Sequence, residues 1–412
     1  KRDGTSWTEQ AKIQASDKGL GDRFGYSVAI SGDYAIVGAP YEDTGDTNAG
    51  AAYIFKRDGT SWTEQAKIQA SDKEFRDFFG YSVAISGDYA IVGAAGKDTG
   101  DFPIEEEEEE TGEYPIEEEE EETGVTDTGA AYIFKRDGTS WTEQAKIQAS
   151  DPEAYDKFGA SVAISGDYVI VGAPYEDTGD FPIEEIDEFE GGISDFNPGA
   201  AYVFKRDGTS WTEQAKIQAS DKGLGDRFGY SVAISGDYAI VGAPYEDTGA
   251  TDAGAAYIFK RDGTSWTEQA KIQASDKEFR DFFGYSVAIS GDYAIVGASG
   301  EDTGATDAGA AYIFKRDGTS WTEQAKIQAS DKGLGDWFGN SVAISGDYAI
   351  VGQGYQYEEP NDLTAGAAYI YSTIDNTPPP QLTYNTYNKL TVANTSNTNV
   401  ETNLRLGANT WD

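Results

Sequence analysis

Cysteine, histidine and methionine are missing from all 412 residues. Without thiols there is no disulfide framework and no thiolate nucleophile; without imidazole there is no histidine base; without either, soft metals have no ligands. Cations are scarce too, with Lys+Arg 31 against Asp+Glu 73 and a formal net charge of −42. Nucleic acid and anionic membrane surfaces both demand basic patches, so neither is expected as a partner. No apolar run approaches the ~20 residues that cross a bilayer, so no membrane insertion is expected. Lys1 does not read as a translation start, and is expected to follow a removed leader or to lie within a longer chain.

What the chain has instead is repetition. The segment KRDGTSWTEQAKIQASD occurs six times unchanged, from Lys1, Lys56, Lys135, Lys205, Lys260 and Lys315. Phe-Gly pairs follow at Phe24, Phe79, Phe158, Phe228, Phe283 and Phe338, separated by 55, 79, 70, 55 and 55 residues. The unit is therefore 55 residues long, with insertions of 24 and 15 in the second and third copies. Such a period marks an array whose units cannot each bury a core alone.

Within a unit every pattern is that of a strand. Phe24, Tyr26, Val28 and Ile30 alternate with Gly25, Ser27 and Ala29, the period-2 pattern of a sheet stacked between neighbours. YAIVGA reads as a strand covered on both faces. AAYIFK follows, then the turn RDGTS, then WTEQAKI, which places Trp7, Glu9, Ala11 and Ile13 on one face and Thr8, Gln10 and Lys12 on the other. The polarity of this last strand suits a sheet edge. Four strands per unit predict an all-β, six-bladed β-propeller of four-stranded antiparallel blades.

Residues 1–371 form the propeller in this reading. The sixth unit ends at Tyr371 without an outer strand, so the N-terminal strand Trp7–Ile13 is expected to complete that blade and close the ring. Residues 372–380 are a stiff Pro-rich linker. Residues 381–412 are an Asn/Thr-rich β extension, with alternation around Leu382–Val392 and Val400–Leu406 and a glycosylation sequon at Asn394-Thr395-Ser396. Two strands are not stable alone. They could pack on the propeller, begin a further domain, or add to a sheet of another molecule and so build a homopolymer.

The unit resembles the FG-GAP repeat of integrin α-subunit propellers and secreted microbial proteins. The resemblance rests on FGYSVAISGDYAIVGAP (Phe24–Pro40) followed by GAAYIF (Gly50–Phe55), recurring six times. It implies a propeller, an extracellular or cell-surface location, adhesion or ligand binding, and no enzymatic activity. One departure matters. Integrin-type repeats often carry an Asp-rich calcium loop between the first two strands, whereas here that connection is only Ser31-Gly32-Asp33. Three residues cannot supply the six to eight oxygens that calcium takes.

The repeats differ among themselves on one side only. The connections between strands 1 and 2 and between 3 and 4 are invariant; those between strands 2 and 3 and between blades vary and carry all the insertions. That face is the candidate binding surface. Its strongly acidic insertions hold apolar anchors at Phe102, Ile104, Tyr114 and Ile116, at Phe181, Ile183 and Phe189, and at Tyr355 and Tyr357. They read as solvated loops, as contacts to another subunit or a basic partner, or as hard-cation sites. The loops after strand 2 place Asp43, Asp46, Asp98, Asp101, Asp177, Asp180, Asp247, Asp252, Asp302 and Asp307 near glycines. Asx-turn chemistry explains such carboxylates; calcium is the alternative, and the only cofactor they suggest. The Asp two residues before each Phe-Gly (Asp22, Asp77, Asp156, Asp226, Asp281, Asp336) reads as structural, its carboxylate accepting backbone N–H bonds in the turn. Acidic residues that recur in every blade are a poor background for one asymmetric catalytic pair. Two functions remain: an extracellular binding or adhesion protein using the variable face, or a subunit of an extracellular filament held by the acidic loops and residues 381–412.

Overall fold

The structure, a computed structural model, describes residues 2–3, 6–98, 127–177, 197–354, 357–358, 362–363, 366–372, 381–384 and 390–393. Every regular element among them is a β-strand. Blade 1 runs Val28–Ser31, Tyr34–Ala39, Ala51–Asp58 and Ser61–Ile68, paired antiparallel in chain order. Blades 2 to 5 repeat this four-strand order over residues 79–147, 161–217, 231–272 and 283–327. Blade 6 holds three strands, Phe338–Ser345, Tyr348–Gln353 and Ala367–Ser372. The result is a six-bladed propeller of repeated antiparallel sheets.

Neither face of an inner blade meets water, because each packs on a neighbour. Tyr34, Ile36, Ala52, Ile54 and Ile68 of blade 1 meet Phe79, Val83, Ile85, Val92, Tyr132, Phe134 and Trp141 of blade 2 in one apolar cluster. Equivalent clusters fill the next four junctions. At the centre of each, backbone touches backbone. A Cβ built on Gly38 would lie 2.0 Å from the carbonyl oxygen of Gly80, and Gly93, Gly172, Gly242 and Gly297 are equally close to Gly159, Gly229, Gly284 and Gly339. Ser27 Oγ donates to that same Gly80 oxygen at 2.8 Å. Only glycine permits such an approach.

A polar seam runs along the invariant face. In each of blades 1 to 5 the Arg near the end of strand 3 pairs with the Asp of the first turn, as Arg57 does with Asp33 at 2.5 Å. From blade 2 onward this guanidinium also lies over the Tyr of the preceding blade, Arg136 over Tyr34 at 4.6 Å. The edge of Trp141 meets the same Tyr34 ring at 5.9 Å, and its Nε1–H donates to Gln65 of blade 1 at 3.2 Å. The invariance of this face is thus accounted for by contacts between blades.

Two expectations are corrected. Strict alternation along WTEQAKI fails because each outer strand carries a β-bulge: Phe55 opposes Glu64 and Ile54 opposes Ala66, leaving Gln65 unpaired in the ladder. The bulge turns Ala66 and Ile68 to the face opposite Trp62 and Glu64, and it frees the Gln to receive the next blade's Trp. The N-terminal strand, in turn, does not complete blade 6. Among the described residues, Arg2–Asp3 and Ser6–Trp7 pair only with each other. Trp7 lies 6.4 Å from Tyr348 of blade 6, whereas each inner Trp meets the Tyr of the preceding blade. That contact sets the segment one place beyond blade 6.

The glycine contact yields a paired test. Gly172→Ala, which drives a Cβ into the Gly229 carbonyl, should destabilise the protein by about 1–3 kcal/mol. Gly352→Ala, where only the movable Ser341 side chain is near, should cost well under half as much. Urea denaturation of both variants measures the difference.

Candidate functional site

Each strand 1 begins on the variable face, and the residues around its Phe-Gly converge on the propeller axis. Tyr26, Tyr81, Tyr230 and Tyr285, each directly after a Phe-Gly, line a cavity of about 960 Å³ with Ala160 and Asn340 in the other two blades. Tyr26 and Tyr81 pack with tilted rings at 5.0 Å, and Tyr230 and Tyr285 at 4.9 Å, between ring centroids. Phe78, Tyr41, Tyr175 and Trp337 also line the cavity; Asp127 and Lys157 are the charged residues of its lining. Burial pushes the Asp127 carboxyl above its ordinary value, against the attraction of Lys157.

The rim is built on unusual backbone. The residue before every Phe-Gly is non-glycine with positive φ: Arg23 54°, Phe78 54°, Lys157 54°, Arg227 55°, Phe282 54° and Trp337 51°. A side chain there costs roughly 1–2 kcal/mol. The conformation is held from the preceding blade, where Asn48, Asp127, Asp252 and Asp307 offer their carbonyls to the N–H groups of Phe78, Lys157, Phe282 and Trp337 at 3.0–3.2 Å. The side chains so presented are cationic or aromatic. Arg23 lies over Tyr41 at 4.2 Å and Arg227 over Tyr245 at 4.4 Å, while Phe78 meets Tyr41 at 5.3 Å and Phe282 meets Tyr245 at 5.4 Å. Strain held at equivalent positions points to use.

Outside the rim stands a second ring. Leu20, Phe75, Leu224, Phe279 and Leu334, two residues before the buried Asp of each inter-blade turn, are exposed, and so is Tyr155, one position later in blade 3. Each blade thus offers one large apolar side chain to solvent on a chain of net charge −42. Isolated exposed apolar residues are ordinary; a ring of six on one face is not.

The buried Asp beneath each tip acts as expected. Asp77 accepts the N–H of Glu74 at 2.7 Å, and Asp22, Asp156, Asp226, Asp281 and Asp336 make the same bond at 2.5–2.7 Å. A second carboxylate, Glu42, was not singled out by its sequence. It is buried and paired with Lys67 at 2.8 Å, and Glu246 pairs with Lys271 at 2.7 Å. Blade 2 reverses the charge at this position. Its Lys97 is buried against Glu74 and Asp77 at 2.5 and 3.3 Å.

The proposed calcium ligands serve turns. Asp43 accepts the N–H of Asn48 at 2.9 Å, Asp46 that of Thr47 at 2.8 Å, Asp247 that of Asp252 at 2.8 Å, and Asp302 that of Asp307 at 2.7 Å. Among the described residues no three carboxylates converge as a metal-holding group. Asp98 and Asp177 stand at the ends of described segments, and Asp101 and Asp180 lie outside them. So do Phe102, Ile104, Tyr114, Ile116, Phe181, Ile183, Phe189 and Tyr355; Tyr357 is described only as part of the two-residue strand Tyr357–Glu358. The residues that do converge, the Tyr after Phe-Gly and the residue before it, were legible as columns of large side chains within the varying loops.

Two outcomes follow from this geometry. Burial raises Asp156 to about 8, Asp226 and Glu176 to about 7, and Asp77 and Asp281 to about 6. Between the ordinary carboxylate range and these values the folded chain binds more protons than the unfolded one, so stability falls as pH rises. Burial also opposes ionisation of Asp151, Asp221 and Asp276, but hydrogen bonds from Lys216, Lys271 and Lys326 outweigh it and hold them below their ordinary value. Their contribution is lost as pH falls below that value. Calorimetry should therefore find the highest Tm at about pH 4, in the ordinary carboxylate range, with a decline on either side. At the rim, Lys157→Gly relieves a positive φ and should stabilise by up to about 1 kcal/mol, measured by the same method; a loss of stability would show that its side-chain contacts outweigh the strain.

A family model described as FG-GAP repeat matches the chain six times, over residues 7–55, 62–103, 141–204, 211–259, 266–314 and 321–371.

Proposed function

The chain belongs to the FG-GAP repeat family, and we propose that it is a non-enzymatic extracellular binding protein whose ligand, a protein surface, docks on the variable face of the propeller. The observation that carries this reading is the set of six exposed apolar tips, one per blade, together with the aromatic-lined cavity. Interface centres favour this combination of aromatic, aliphatic and Arg side chains, and the strained rim residues hold theirs with little freedom to lose on binding. Repeats of this family are typically non-catalytic. The buried carboxylates with raised pKa fit that role, since they recur from blade to blade and bond backbone N–H groups of turns. An acidic surround favours a ligand with basic residues at the edge of an apolar patch.

The test is a sixfold variant carrying Leu20→Ser, Phe75→Ser, Tyr155→Ser, Leu224→Ser, Phe279→Ser and Leu334→Ser, screened beside the parent on an array of purified extracellular proteins. All six side chains are exposed, so Tm should hold within a few degrees. Parent signals should fall by tenfold or more in the variant. Undiminished binding by the variant would remove the function from this face.

A further inference from the structure

Five of the propeller's junctions are alike, and the sixth differs. Between blades 1 and 2, and at the four that follow, a glycine pairs with the next Phe across a parallel bridge, beginning with Gly50 and Phe79. Among the described residues no such bridge joins blade 6 to blade 1. The faces left there are the same two that meet elsewhere. On blade 1, Val28 and Ile30 are each 67% exposed, against 8% and 7% for the equivalent Val83 and Ile85. On blade 6, Ile350 is 42% exposed, against 0% for Ile295.

The N-terminal segment covers only the outer part of this junction. Trp7 lies on Tyr348 of blade 6. Ile13 and Ala15 pack with Phe24, Tyr53 and Phe55 of blade 1, as Ile68 and Ala70 pack on blade 2. Ser16 N–H donates to Glu64 at 2.9 Å, and Ser71 makes the same bond to Glu143. Residues 7–16 thus stand where the outer edge of a sheet would lie between blades 6 and 1. Among the described residues the inner part, at Val28, Ile30 and Ile350, has no such cover.

We propose that the C-terminal hairpin of the same chain, Gln381–Tyr384 with Leu390–Ala393, docks in this junction and covers the two apolar faces. Its register opposes Leu382 to Val392 and Tyr384 to Leu390, which sets four apolar positions on one face of the hairpin and leaves Thr383 and Thr391 on the other. A two-stranded hairpin with one apolar face is not stable in water without something to cover it. The strand Gln381–Tyr384 already lies alongside Ala367–Ser372 of blade 6, so the hairpin is tethered to the blade that borders the gap. An intrachain occupant also has the advantage of a high effective concentration.

Because the chain has no cysteine, one introduced thiol reports on this junction alone. Ile30→Cys in the full chain should react with a maleimide as slowly as Ile85→Cys, its buried counterpart in blade 2. Adding Leu382→Pro and Val392→Pro, which strip backbone N–H groups from both strands and fix their φ, should speed the reaction of Ile30→Cys by tenfold or more. The same prolines should leave Ile85→Cys unchanged, which separates loss of docking from loss of fold. Fast reaction with the hairpin intact overturns the proposal. So does slow reaction in both backgrounds, which would mean that blades 6 and 1 meet directly. Protection that fades on dilution also overturns it, and would assign the cover to a second copy. None of these outcomes bears on the apolar ring, so this proposal can fail while the binding reading stands.

Discussion

The propeller depends on one close approach, that of a glycine carbonyl in one blade to the glycine of strand 2 in the blade before it. Gly80 and Gly38 leave no room for a Cβ between them. With the backbones so near, the rows of Tyr, Ile and Val on one blade can interlock with the Phe, Val and Tyr of the next. The two parts of the repeated motif, FG and VGA, are therefore contact partners across a junction. They lie within one repeat in sequence and act between repeats in space. Trp, Arg and Gln then lock the outer ends of the sheets together, so that stability accrues junction by junction.

This division explains what was legible beforehand. Strand number, order and blade count could be read because period-2 alternation and an unvaried repeat leave few alternatives. The bulge at Gln65 could not, because nothing in WTEQAKI marks where the ladder loses a residue; its cause is the Trp of another blade. The placement of the N-terminal strand failed for a related reason. Chain ends that look complementary in sequence are also complementary to the next position round the axis, and the Trp7–Tyr348 contact decides between them. The buried Glu42 could not be told from its exposed neighbour Asp43, since two adjacent carboxylates differ only in which one meets Lys67.

The two faces of the molecule answer to different demands. On the invariant face the Arg of strand 3 and the Asp of the first turn pair within each of blades 1 to 5, and from blade 2 onward the guanidinium also lies over the Tyr of the blade before. On the variable face the buried acids sit under the loops and bond backbone, while the surface above them is given over to apolar tips and strained aromatic or cationic residues. Rigid turns below and diverse side chains above allow the surface to change without disturbing the sheets. Lys97 shows how far this tolerance extends, as a cation standing where other blades bury an anion.

Because successive junctions are made from the same pair of faces, blades are interchangeable parts. Exchange between misaligned copies of the repeat would remove or add a whole 55-residue unit and leave each surviving junction chemically as it was. Point substitutions are constrained by two neighbours at once, while whole-unit gains and losses meet resistance only where the ring must close. A chain built this way can change its diameter in one genetic step, and the closing junction is where selection would register the change.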